Sequence, residues 1–143
     1  MSNANRLVIE LGTDTSQLSG VFGQLEAFAA ANTWPDGIAM QVQLILEEVL
    51  LNSMTHGLGE RADGRVTLTL AQEGDVVDIE VTDNGIAFDP LDHPEPDLEA
   101  SIEEREIGGL GIHFMRTMMD EVGYRRDGDL NRLRMRKRLV PEA

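Results

Sequence analysis

The order of hydrophobic periodicities along the chain predicts an α+β fold: a two-layer sandwich in which a mixed, mainly antiparallel β-sheet carries helices on one face. Three observations predict it. Strand-like alternation comes in pairs joined by short glycine-containing turns, the mark of hairpins. The two longest helical patterns lie together between the first strand and those hairpins. Strands do not alternate singly with helices, so a doubly wound parallel sheet is not expected. A single domain over residues 1–143 is expected from the length. At 41% hydrophobic the chain can build a core, which Leu, Ile, Val, Met and Ala must fill because aromatics make up 4%.

Each element follows in turn. Arg6–Leu11 reads as a short strand with Leu7, Ile9 and Leu11 on one face. Asp14, Thr15 and Ser16 offer helix caps, and a helix is expected from there to about Asn32. Trp34-Pro35-Asp36 breaks the chain, and proline suits the first turn of a second helix reaching about His56. Ile38, Val42, Ile45, Leu46, Val49 and Leu50 leave that helix apolar on most sides, which predicts burial. After residues 57–64, Val66, Leu68 and Leu70 alternate with Thr67, Thr69 and Ala71 as a half-buried strand. Glu73-Gly74-Asp75 turns it into a second strand over 76–82.

Residues 84–107 hold Pro90, Pro94 and Pro96 and read as a long irregular loop, which in compact domains is usually functional. A helix over about 110–121 follows. A closing hairpin, 122–126 and 131–139 around Asp127-Gly128, completes the chain. In its last strand Arg132, Arg134, Arg136 and Arg138 share one face. They read either as a docking face for an acidic partner or second subunit or, more plainly, as a solvated outer sheet face.

Composition narrows the function. A formal net charge of −14 argues against nucleic acid as a direct ligand, since phosphate backbones are bound chiefly through Lys and Arg. Regulation through a protein partner stays open. The absence of cysteine excludes disulfides, thiolate metal sites and cysteine nucleophiles. No apolar run approaches the roughly 20 residues of a membrane span, and the first residues lack the basic and then apolar blocks of a signal peptide. The expectation is a soluble cytoplasmic protein.

Three segments carry chemistry. Glu48, Asn52 and His56 are spaced i, i+4 and i+8, so they share one face of an otherwise apolar helix. Polar groups there need partners. A Mg²⁺ ion would suit them, because it takes hard oxygen ligands and keeps waters and phosphates; a satisfied hydrogen-bond network is the plainer alternative. Asp83-Asn84-Gly85 follows a predicted strand. An aspartate there can accept from an exocyclic amine such as that of adenine, and glycine allows close approach, although Asp-Asn-Gly is also an ordinary turn. Gly108-Gly109-Leu110-Gly111 opens a helix, where free N–H groups and the positive dipole end suit phosphate; a flexible turn is the alternative. It is not a P-loop, and no βαβ unit surrounds it.

Together the segments resemble the N, G1 and G2 boxes of the GHKL (Bergerat-fold) ATPases, and most of all the anti-sigma-factor serine/threonine-protein kinases. The runs that carry the resemblance are Glu48 to Gly57, Asp-Asn-Gly-Ile-Ala-Phe-Asp-Pro at 83–90, Gly-Gly-Leu-Gly-Ile at 108–112 and Met-Met-Asp-Glu-Val at 118–122. They span nearly the whole chain in the family's order. Ala87 stands where the family often has glycine.

The resemblance implies that ATP and Mg²⁺ are cofactors. Glu48 would be the catalytic base that orients and deprotonates an acceptor serine, and Asn52 would hold the metal between the phosphates. Glu47 is excluded as the base because it points about 100° away from the face of Asn52. His56 would be structural. Asp83 would bind the adenine amine with Gly85 beneath the base, and residues 91–107 would form an ATP lid. Gly109, Leu110 and Gly111 would meet phosphate, and Arg105 would reach the γ-phosphate. The implied partners are a STAS-domain anti-sigma-factor antagonist, which is phosphorylated, and a sigma factor, with a possible homodimer. A nucleotide-dependent binding module with little kinase activity is the alternative. The catalytic domain of a sensor histidine kinase is a weaker reading, since no dimerisation helix with an acceptor histidine precedes residue 6.

Overall fold

A computed structural model describes residues 5–58, 63–92 and 110–139, without the side chains of residues 56, 57, 92 and 110. Strand β1 (Arg6–Leu11) leads into helices α1 (Leu18–Ala31) and α2 (Ile38–Asn52), then the hairpin β2 (Val66–Glu73) and β3 (Val76–Asp83). Helix α3 (Leu110–Met118) and the hairpin β4 (Glu121–Asp127) and β5 (Leu130–Arg138) follow. The five strands form one sheet in the order β1-β2-β3-β5-β4. Every pairing among the described residues is antiparallel, so the expected mixed character of the sheet does not occur there.

Both hairpins have two-residue turns, Gly74-Asp75 and Gly128-Asp129, closed by the pairs Glu73↔Val76 and Asp127↔Leu130. Gly74 sits at φ 62° and Gly128 at φ 60°. A positive φ at the first central position is what a type II′ turn requires, and glycine reaches it without strain. The strands then alternate strictly. Leu68, Leu70, Val77, Ile79, Val81, Leu133 and Met135 are buried under the helices, and the residues between them face outward.

Helix α2 is the spine of the helical layer. Val42, Ile45, Leu46, Val49 and Leu50 are all buried, as its apolar pattern predicts. It starts later than expected, at Ile38, because Gly37 takes φ 85° and ends the Pro35 turn before the helix begins. Past Asn52 it widens into a π-helical turn, Ser53–Gly57, closed by Leu58 N–H donating to the Ser53 carbonyl at 2.8 Å. In the 3-10 turn Thr15–Gln17 that precedes α1, Asp14 Oδ1 accepts from both Ser16 Oγ (2.7 Å) and Ser16 N (3.0 Å). These bonds hold the Asp14 carboxyl below its usual range, the hydroxyl contributing most. At the far end, the Trp34 indole donates to Gln72 Oε1 at 2.8 Å and meets Phe28 edge-on, tying α1 to the end of β2.

Helix α3 ends three residues before the expected Glu121. The backbone N–H of Asp120 donates to the Arg136 carbonyl at 2.9 Å, so the chain has already joined the sheet there, and Glu121 opens β4. Lys137 Nζ donates to the Met118 carbonyl at 2.8 Å, satisfying a terminal carbonyl of α3 and placing a cation at its negative dipole end.

The arginine row of β5 lies on the outer face, as the alternation predicts. Arg132 bonds Glu80 at 2.8 Å and Asp127 at 3.1 Å, Arg136 bonds Asp78 at 2.8 Å and Glu121 at 3.3 Å, and Arg134 lies 3.6 Å from Glu80. No helix among the described residues is long and apolar enough to cross a membrane.

Candidate nucleotide site

The sheet register brings two polar residues together where only apolar ones are expected. Asp83 closes β3 and stands directly opposite Asn131 on β5, both on the face under the helices. They are 6% and 5% exposed. Burial at that level is costly unless every polar atom finds a partner.

Asn131 does so completely. Its Nδ2 donates to Asp83 Oδ1 at 2.9 Å and to the Ile86 carbonyl at 2.7 Å. Its Oδ1 accepts from Phe88 N at 3.2 Å and from the Tyr124 hydroxyl. Two donors and two lone pairs are the whole capacity of an amide. Asp83 Oδ1 also accepts from Gly85 N at 2.9 Å. Both protein bonds to the carboxylate therefore fall on one oxygen, leaving Oδ2 for a donor in the adjoining pocket.

That pocket lies between the C-terminal end of α2 and the ends of β3 and β5. Val49, Asn52 and Ser53 line it from the helix, Val81, Asp83, Leu133 and Asn131 from the sheet, with Phe88, Pro90 and Tyr124. Apolar walls with a few convergent polar groups are what a planar heteroaromatic ring needs. The segment after β3 is pinned in place. Arg126 donates to the Gly85 carbonyl at 2.8 Å, Arg116 donates to the Leu91 carbonyl, and Asn84 Oδ1 accepts from Arg65 N at 2.8 Å.

Glu48 and Gly111 meet at the α2–α3 contact. Glu48 is half-buried whereas Glu47 is exposed, so α2 separates the two as the helical spacing predicts. A Cβ built on Gly111 would fall 2.4 Å from Glu48 Cβ and 3.1 Å from the Leu44 carbonyl oxygen. Glycine is thus what lets α3 begin against the base candidate. Gly111 is also in the first turn of α3, where backbone N–H groups have no partner within the helix.

Asn52 and Asp83 line one pocket, with Gly85 bonded to Asp83, while Glu48 lies one turn before Asn52 on α2. Past Asn52 the backbone changes to five-residue spacing over Ser53–Gly57. The side chains of His56 and Leu110 lie outside the described residues, as do Arg105, Gly108, Gly109 and residues 93–107 of the expected lid. Sequence reasoning missed Asn131, Tyr124, Arg126 and Phe88. One signal was present: in the alternation of β5, Asn131 is a polar residue at an inward position.

Comparison with known proteins bears on the fold and the family. The chain is 27% identical over 135 residues to the serine/threonine-protein kinase BtrW of Bordetella bronchiseptica, covering 94% of this chain and 95% of that one. It is 29% identical over 82 residues to the anti-sigma F factor of Bacillus velezensis and 29% over 85 residues to the serine-protein kinase RsbW of Listeria monocytogenes. In those two cases it spans about half the relative, 56% and 54%. In structure it superposes on the RsbU and RsbW domains of a Mycobacterium tuberculosis protein with a TM-score of 0.67 at 18% identity, covering 96% of this chain and 33% of that one. The histidine kinase domain of a blue-light activated kinase from Erythrobacter litoralis gives 0.52 at 17%, covering 87% and 60%. These are likenesses of fold. The profile described as a histidine kinase-like ATPase domain matches residues 11–137, and the chain belongs to that family.

Proposed function

We propose that this chain is an ATP-dependent protein-serine kinase and anti-sigma factor, which phosphorylates a STAS-domain antagonist and holds a sigma factor when that antagonist is released. The observation that carries the reading is the placing of Glu48 one helical turn before Asn52, with Asn52 in the same pocket as Asp83. The adenine amine would donate to Asp83 Oδ2, with Val49, Val81 and Leu133 against the ring. The phosphates would extend past Asn52 toward the start of α3, whose free N–H groups favour anions. Glu48 would accept the serine proton as the hydroxyl attacks, and the remaining catalysis is positioning and charge stabilisation.

The donor set fits Mg²⁺ carried by a nucleotide. Asn52 offers a hard amide oxygen at the pocket, and no cluster of three metal-ligating side chains occurs among the described residues. Mg²⁺ bound by one protein oxygen, waters and phosphates needs no such cluster. When bound, it neutralises phosphate charge. Names among the relatives, a serine-protein kinase and an anti-sigma F factor, support the same reading. Proteins of STAS type from the same genome, incubated with this chain, magnesium and ATP labelled at the γ-phosphate, test it. Phosphoserine on one of them that requires Glu48 is the expected result. Tight ATP binding without transfer to any would leave a nucleotide-dependent binding module.

A further inference from the structure

We infer that Asn131 is a positioning residue that decides which oxygen of Asp83 reads the base, and so sets the preference for a 6-aminopurine. The inference rests on the ATP reading above. The carboxyl torsion of an aspartate is soft and nearly two-fold, so nothing within Asp83 fixes the roles of its two oxygens. Two neighbours do so. Asn131 Nδ2 (2.9 Å) and Gly85 N (2.9 Å) both donate to Oδ1, which leaves Oδ2 as the acceptor for a donor in the pocket. The same amide holds the Ile86 carbonyl and the Phe88 N–H, and Phe88 is one wall of that pocket. A single buried side chain thereby aligns the hydrogen-bond acceptor and the apolar wall. Tyr124, donating to Asn131 Oδ1, fixes the amide in turn. Because all four positions of the amide are occupied by protein, Asn131 acts through Asp83 and Phe88 rather than by touching the base.

The test compares ATP with inosine triphosphate, which carries a carbonyl where ATP carries the amine. Both are titrated calorimetrically with magnesium into the full chain. Wild type is expected to favour ATP by roughly a hundredfold or more, because a site built around an exocyclic donor leaves a group unpaired when that donor is missing. Asn131→Ala should lower ATP affinity by about ten- to a hundredfold, the worth of one or two charge-assisted bonds, and change inosine triphosphate far less. Asn131→Thr keeps one hydroxyl donor for Oδ1 and should restore part of the preference. If Asn131→Ala does not fold, Tyr124→Phe, which removes one phenol oxygen, should still reduce the ratio by a fewfold. A purely structural Asn131 would weaken both nucleotides alike, and an unchanged ratio in the variants beside normal wild-type ATP binding would overturn this inference alone. Wild type that binds neither nucleotide would overturn the ATP reading as well.

Discussion

On the outer face of the β3–β5 pair, Glu80 takes Arg132 at 2.8 Å and lies 3.6 Å from Arg134, and Asp78 takes Arg136 at 2.8 Å. On the inner face of the same two strands, Asp83 takes Asn131 at 2.9 Å. The distances are alike and the consequences are not. The outer groups are part exposed, offer each other alternative partners and exchange readily with water, so removing one leaves little unsatisfied. The inner pair is buried, and each lost bond leaves a polar atom that water does not reach. The comparison teaches that burial and saturation, not the count of ion pairs, set the proposed nucleotide-reading part of this sheet apart.

The largest effect belongs to Glu48, one helical turn before the pocket residue Asn52. Glu48→Gln should cut phosphoryl transfer by about a hundred- to ten-thousandfold, the usual worth of a general base, with ATP affinity nearly unchanged. Glu47→Gln, one residue away but exposed, should leave transfer near wild type. Equal losses in both variants, measured as initial rates of phosphoserine formation, would remove the base assignment.

Asp83→Asn leaves the inner pair bonded but changes what faces the pocket. The new amide keeps a carbonyl for Gly85 N and Asn131 Nδ2, and so turns its NH₂ toward the position of Oδ2. A donor would then face the adenine amine. ATP affinity should fall by about ten- to a hundredfold, and preference should move toward inosine triphosphate. Calorimetry that finds ATP binding intact would mean that Asp83 reads nothing.

Much of this was legible in the chain, for identifiable reasons. Gly74 and Gly128 announce the two hairpins, and β1 follows its alternation to the residue. The separation of Glu48 from Glu47 follows from helical geometry alone. What failed depends on distant partners. The end of α3 is set when Asp120 joins the ladder of β5, an event no local pattern announces. Asn131 next to a hairpin turn looks like turn chemistry, and its role emerges only when β5 pairs with a strand 48 residues earlier in the chain. The π-helical turn after Asn52 is invisible because Ser53 to Gly57 is compatible with ordinary helix.

Gly111→Ala tests the contact between Glu48 and the start of α3 by volume alone. The added methyl meets Glu48 Cβ, which is fixed to the backbone of α2, so the helices must part rather than a side chain swing away. The expected cost is about 1–3 kcal/mol of stability by denaturant unfolding, with transfer reduced as Glu48 shifts. A variant as stable and active as wild type would show that the contact is looser than the structure has it.

The outer face should respond least. A double-mutant cycle on Arg132 and Glu80 is expected to give a coupling of about 0.2–1 kcal/mol in low salt, because both side chains are near 30% exposed and Asp127 and Arg134 stand ready as substitute partners. Raising ionic strength toward 1 M, where charges are screened beyond about 3 Å, should shrink it further. Nucleotide selectivity should not change in either single variant, since neither side chain touches the pocket that Asn131 organises. A coupling several times larger, or a change in the ATP to inosine triphosphate ratio, would mean that the two faces of the sheet are not energetically separate. The distinction between a solvated ion-pair ladder and a buried reading site would then have to be drawn through the strands rather than across them.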